Sequence, residues 1–533
     1  MASEEFSTWQ RIRSYQMESG RFDVNSPNSI SKSVAIAVDM AGKTSLLLLG
    51  GSVLPVWGET ILGLTVFSRH GDRTSKHYSG YSLTNLGFQQ NFQTGSFYRD
   101  LYLASGSSKQ ILGISEDKYV TSQIWASAPD QTVLANTATA FLQGLYPPLD
   151  QLDPQIATNT LNNGTKYTNP LNGYQYVQLH GPGTESPNTI WIKGDDGCPV
   201  ATAAAASFET SEEFITRDAA TKSFYQQFWP QISDVFDYEQ SELGYARAYD
   251  IFDLINVAQI HNSSEAERVT AEQLFQLRTL ADSAEFGGSF NASQPARSIG
   301  AQTLAGAILN QLNQTVTSKG KLKFSLLAGS YDTFLAFFGL TELTAVDSNF
   351  YGLPDYASTM AFEVLTDKNV DAFPSSVDDL KVRFLFRNGS DVSAPLTPFP
   401  LFGQQEQTLT WTDFVARVSK VAITSAEKWC SVCKSKQAFC AAYDPSLSSG
   451  SIGAQTTAGG SNMNTQMNMG GSGMSNAVAG VIGAMVTLGT VAVAGFLFYL
   501  LTRRRERVPA ASCAKSIDST EKGSLSLSSG THA

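Results

Sequence analysis

The chain has 533 residues, 42% hydrophobic and 16% charged, a composition that excludes a disordered polymer and allows a large folded core with appendages. Its formal net charge of -11 excludes a nucleic-acid backbone binder, whose affinity rests on clustered Lys and Arg releasing counterions.

Residues 1–39 read as an upstream or non-native extension, with translation starting at Met40. Met40-Ala41-Gly42-Lys43 gives a basic start, residues 46–56 an apolar stretch, and Val56-Trp57-Gly58 a small-residue cleavage site. Those are the dimensions of a secretory signal, so residues 40–58 are expected to be a signal peptide rather than a core strand. The mature domain is expected to span residues 59–445.

Within it, an apolar run at residues 61–66 leads into Phe67-Ser68-Arg69-His70-Gly71-Asp72-Arg73. One imidazole stands between two guanidiniums where a strand becomes a loop. A neutral imidazole can attack phosphorus, and guanidiniums hold phosphoryl oxygens by paired, charge-assisted hydrogen bonds. A second strand end, Ile124-Trp125-Ala126-Ser127-Ala128-Pro129-Asp130-Gln131-Thr132, precedes an apolar helix. Between this block and the next, residues 205–285 read as a helical insert, with Phe214, Phe224, Phe228, Trp229, Val235 and Phe236 spaced for a buried face. A third strand, residues 322–328, delivers Gly329-Ser330-Tyr331-Asp332-Thr333 to another apolar helix. Residues 358–365 and 381–386 then alternate like paired strands. His77, His180, His261 and His532 show no metal-ligand spacing, so no metal is expected.

The first motif resembles the Arg-His-Gly-x-Arg-x-Pro signature of the histidine acid phosphatases, the acid phosphatase and phytase clade of the histidine phosphatase superfamily. It resembles fungal membrane-anchored members with altered active-site motifs. Ser75 stands where the family has its Pro. The second block resembles Arg-Ser-Thr-x-x-Asp-Arg-Thr, with Trp125 at the phosphate-binding Arg and Gln131 at the second Arg. The third resembles the strand ending in His-Asp, with Tyr331 in place of the His and Asp332 retained.

The resemblance implies a phosphoglycerate mutase-like α/β/α sandwich with a helical insert lobe and no cofactor. It also implies His70 as nucleophile, Asp332 as proton donor, and Arg69, Arg73, Trp125 and Tyr331 as substrate-binding groups around one cleft. Two functions stay open: a weak or specificity-shifted phosphomonoester hydrolase working through a phosphohistidine, and an inactive phospholigand-binding or structural surface protein.

Beyond this domain, residues 446–475 are Gly-, Ser-, Asn- and Met-rich and are expected to form a flexible stalk. Residues 477–501 are uncharged and apolar, and about 20 such residues cross a bilayer. Arg503, Arg504, Arg505 and Arg507 follow, which puts the tail, residues 502–533, in the cytosol. The expectation is a single-pass type I membrane protein whose large domain faces the exterior or a vacuolar or endomembrane lumen. Sequons at Asn163, Asn262, Asn291, Asn313 and Asn388 all lie on the exported side. Cys198, Cys430, Cys433 and Cys440 allow two disulfides whose pairing the sequence leaves open, and Cys513 is a membrane-proximal thiol on the tail.

Overall fold

The computed structural model describes residues 58–443 other than residues 154 and 267. The expected extension and signal segment up to residue 57, the expected stalk, the apolar stretch at 477–501 and the residues after it lie outside the described residues. Among the described residues, no helix is long and apolar enough to cross a membrane.

In chain order the main elements are β1 (Thr60–Arg69), α1 (Asn85–Tyr102), β2 (Ile124–Ser127), α2 (Thr132–Leu145) and a small hairpin of β3 (Thr158–Thr160) and β4 (Lys166–Thr168). A helical stretch follows, with α3 (Pro199–Glu209), α4 (Glu212–Gln226), α5 (Ala248–His261), α6 (Ala271–Ser289) and α7 (Ile299–Thr317). The chain then returns through β5 (Phe324–Gly329), α8 (Tyr331–Leu340), β6 (Thr359–Thr366), β7 (Lys381–Arg387), β8 (Thr397–Pro398), β9 (Thr408–Thr410), α9 (Trp411–Val421) and α10 (Ala426–Cys433).

The central sheet runs β2-β5-β1-β6-β7-β8, with β9 also on β7. β1, β5 and β2 are parallel, and β6 and β7 add antiparallel partners. Because side chains alternate across a strand, β1 feeds two cores. Ile61, Leu64 and Val66 join one with Tyr98, Tyr102 and Phe141 of α1 and α2. Leu62 and Phe67 join the other with Leu304 and Ile308 of α7, Phe334 of α8 and Phe414 of α9. Helices therefore cover both faces of a mixed α/β sheet, and β1, buried along nearly its whole length, reads as a continuous apolar run for that reason.

The helical insert forms as its pattern indicates. Ser211 caps α4, and Thr270 with Gln273 forms a capping box at α6. Phe214, Phe228 and Phe236 are buried, and Phe224 and Trp229 pack partly buried against the same core. Val235 departs from the expectation: it is exposed, on the turn after the short helix Trp229–Ile232 where the helical period stops applying. Disulfides join Cys198 to Cys433 and Cys430 to Cys440. The first fastens α10 to the start of α3, and beside it the buried Trp429 indole donates to the Gly194 carbonyl at 2.7 Å.

Candidate functional site

The three parallel strands end on one edge of the sheet, where open α/β sheets gather ligand-binding groups. At the end of β1 the chain turns under the start of α1. The Gly71 N–H donates to Asn91 Oδ1 at 2.7 Å, Asn91 Nδ2 donates to the Arg69 carbonyl at 3.1 Å, and the Asp72 N–H donates to Gln90 Oε1 at 2.7 Å. Thr84, the N-cap of α1, also donates to the Asp72 carboxylate, on which His261 Nε2 lies at 2.7 Å. A Cβ on Gly87 would stand 1.9 Å from the Asp72 carbonyl oxygen, so the helix and the motif loop touch backbone to backbone. That contact explains the glycine.

His70 is 2% exposed. Its Nδ1 lies 2.9 Å from the Gly71 carbonyl, which can only accept, so Nδ1 carries the proton and Nε2 keeps the lone pair. Burial, followed by the charges of Arg69 and Arg73, holds the imidazole well below the usual histidine pKa. The ring thus stays a neutral imidazole into the acid range.

The two flanking arginines differ. Arg69 donates through Nη1 to the Pro354 carbonyl, leaves Nε buried without a partner, and packs over the rings of Tyr356 at 4.8 Å and Tyr331 at 5.2 Å. Arg73 is held in a two-pronged pair with Asp253, at 3.0 and 3.1 Å, and also donates to the Tyr249 hydroxyl at 2.9 Å. Ser75 takes part in the same knot, its hydroxyl donating to Asp253 Oδ2 at 2.7 Å.

β5 delivers Tyr331 and Asp332 to the same region. The Tyr331 ring stacks on Tyr249 at 4.7 Å and lies under the Lys76 ammonium at 4.7 Å. Its hydroxyl donates to Glu285 Oε2 of α6 at 3.0 Å. Burial raises the Glu285 carboxyl to about 7 against the pull of Lys76. Asp332 lies in the first turn of α8, with Ser330 at the N-cap. One of its oxygens, Oδ1, is buried with no hydrogen-bond partner. Burial depresses Lys76, with Asp332 opposing the shift; burial also opposes the charge of Lys193, which Asp332 and Asp195 nonetheless raise. Asp332 thus lies among both lysines, Lys76 and Lys193, and carboxyls, Asp195 and Glu285.

Of the expected site residues, the structure brings Arg69, His70, Arg73 and Tyr331 into one connected cluster, with Asp332 at its edge. Trp125 lies on β2, paired with Ser325, which is level with Thr65, and its ring stacks on His180 at 5.6 Å. Sequence reading missed Lys76, Lys193, Tyr249, Asp253, Glu285 and Tyr356. Lys76 follows Arg73 closely enough to have been noticed, whereas most of the others come from distant segments and are joined only by folding.

A cleft of about 330 Å³ opens beside the cluster, with Arg69, Tyr249, Asp253 and Tyr356 in its walls, joined by Arg278 and Asp355. His70 and Asp332 are not among its lining residues. Of the sequon asparagines, Asn163, Asn262 and Asn313 are exposed and Asn291 is partly exposed. Asn388 is exposed on the cleft wall, its amide engaged with Asp355 and Ser358.

No protein-family model matches the chain, and no curated protein matches its sequence. Among solved structures, the chain is similar to the phytase from Citrobacter braakii at 12% identity, covering 69% of this chain and 99% of that one, with a TM-score of 0.46. Klebsiella sp. ASR1 phytase matches at 12% identity over 69% of this chain and 97% of that one, TM-score 0.45. The D. castellii phytase matches at 12% identity over 72% and 83%, TM-score 0.43. Likeness of this degree bears on neither ligand nor activity, which rest on the site residues themselves.

Proposed function

We propose that this protein is an acid phosphatase-type hydrolase that cleaves phosphomonoesters through a phosphohistidine at His70, slowly or with shifted specificity. The observation that carries this reading is the His70 imidazole, fixed by Gly71 with Nε2 free and kept neutral by burial beside two arginines. In the reaction, Nε2 attacks phosphorus while the bond from phosphorus to the ester oxygen breaks. Asp332, as the carboxylic acid, gives its proton to that oxygen. Water then attacks the phosphohistidine, Asp332 takes a proton back, and the electron pair of the P–N bond returns to Nε2. Arg69 holds the phosphoryl oxygens, and Lys76 and Lys193 supply positive charge near Asp332.

Low turnover is expected because Arg73 is engaged by Asp253, Tyr331 directs its hydroxyl to Glu285, and His70 is covered. The same features favour a second reading, a phospholigand-binding protein without turnover. The test is hydrolysis of a phosphomonoester panel at acid pH by the purified protein and by His70→Ala. Loss of turnover by on the order of 10³-fold or more in the variant supports the hydrolase. Equal rates in both proteins, with inorganic phosphate still bound, support the binding protein.

Residues 40–58, 477–501 and the arginines that follow support the further proposal of a type I membrane protein with N-glycans on its exported domain. Sequencing the mature N-terminus checks it: a start near Glu59 is expected, and an intact Met1 or Met40 contradicts it.

A further inference from the structure

We propose that the cleft beside Arg69 selects ligands carrying a single phosphoryl group on an uncharged, ring-bearing body and rejects polyphosphorylated ones. This rests on the reading above that Arg69 anchors the phosphoryl group.

The charge on the walls carries the argument. Two cations, Arg69 and Arg278, face three carboxylates, Asp253, Asp355 and Asp391. Arg278 is already bound, with Asp355 at 3.0 Å and Asp282 at 3.4 Å. Asp253 is neutralised from behind by Arg73. Arg69 is therefore the one wall cation without a carboxylate partner among the described residues, and its Nε is a buried donor with no acceptor. A single unpaired guanidinium matches one phosphoryl group.

Further phosphoryl groups would meet Asp355 and Asp391 instead. Asp391 stands exposed, its carboxylate kept ionised by the Ser393 hydroxyl and N–H. Like charges placed opposite one another reject a partner more strongly than matched ones attract it. The remaining surface suits a neutral ring. Tyr249 and Tyr356 present aromatic faces, and Asn256, whose amide is unpaired among the described residues, can bond hydroxyl groups. The volume of about 330 Å³ accommodates one ring and one phosphoryl group, at the small end of ligand pockets.

The test is calorimetric binding of phenyl phosphate, glucose 6-phosphate and myo-inositol hexakisphosphate to the full-length protein bearing His70→Ala, so that turnover does not obscure affinity. We expect at least one of the monophosphates to bind about tenfold or more tightly than the hexakisphosphate, with Asp391→Asn narrowing that ratio several-fold at low salt. Asp391 is an exposed loop residue, so this second variant does not put the fold at risk. Arg69→Ala, checked for an unchanged melting profile, is expected to abolish monophosphate binding. Hexakisphosphate binding as tightly as the monophosphates, or no monophosphate binding at all, overturns the proposal. Hydrolysis is read separately on the protein with His70 intact. Monophosphate preference without turnover would remove the enzymatic reading and leave the ligand class standing.

Discussion

The ends of β1 and β5 follow the same plan, a buried parallel strand feeding a polar corner, yet they are finished differently. At the β1 corner the loop backbone is tied to α1 by Asn91, Gln90 and Thr84, and backbones meet at Gly87. The result is a rigid holder of positive charge around a neutral imidazole. At the β5 corner, carboxylates gather: Asp332 with an unpaired buried oxygen and Glu285 raised to about 7, with Lys76 and Lys193 close by. The difference sets guanidinium charge beside a neutral imidazole at one corner against a carboxyl, Glu285, whose proton affinity burial raises at the other, the division of labour that the proposed hydrolysis needs.

The largest expected effect tests whether the β5 corner handles protons at all. Asp332→Asn keeps the shape and removes the donor, so turnover should fall by about 10²–10⁴-fold. A variant as active as the parent would leave the β5 corner without a chemical role.

A smaller effect should separate the corners in stability. Gly87→Ala forces a Cβ against the Asp72 carbonyl and should cost about 1–3 kcal/mol, read as a lowered Tm. Unchanged melting would mean that α1 does not brace the motif loop.

The smallest effect is one of pH. Glu285 moves from 4.5 to about 7 on folding, so the folded state binds more protons in that window and stability falls as pH rises through it. His70 acts in the opposite sense. Its pKa lies well below 6.5 in the fold, so the unfolded state binds more protons, and stability is lost as pH falls below about 6.5. Glu285→Gln stays neutral and should therefore gain stability relative to the parent above about pH 7 but not below about 4.5. Denaturant melts at both pH values check this, and a gain of the same size at each would assign the effect to packing.

Much of the sheet could be read in advance, because β1, β2 and β5 end in blocks that lead to helix patterns and residues 358–365 and 381–386 alternate like paired strands. The β1 corner was equally legible, its functional groups being neighbours in sequence from Arg69 to Arg73. The β5 corner was legible only in Tyr331 and Asp332. Glu285 comes from α6, Tyr249 and Asp253 from α5, and Lys193 from the loop before α3, so no spacing along the chain links them. Matching block against block proposes Trp125 for the site, but its contacts, the pairing with Ser325 and the stack on His180, follow from strand register and folding, which block matching does not give.

The central claim is that His70 Nε2 is the nucleophile, and the measurement that tests it most directly is detection of the phosphorylated imidazole. Protein mixed with a phosphomonoester and quenched in alkali, where phosphohistidine survives, can be digested and examined by mass spectrometry and phosphorus NMR. Since Nδ1 donates to the Gly71 carbonyl, the account requires the phosphoryl group on Nε2 of His70, and none in His70→Ala. Turnover with no phosphohistidine, or phosphorylation on Nδ1, would contradict it.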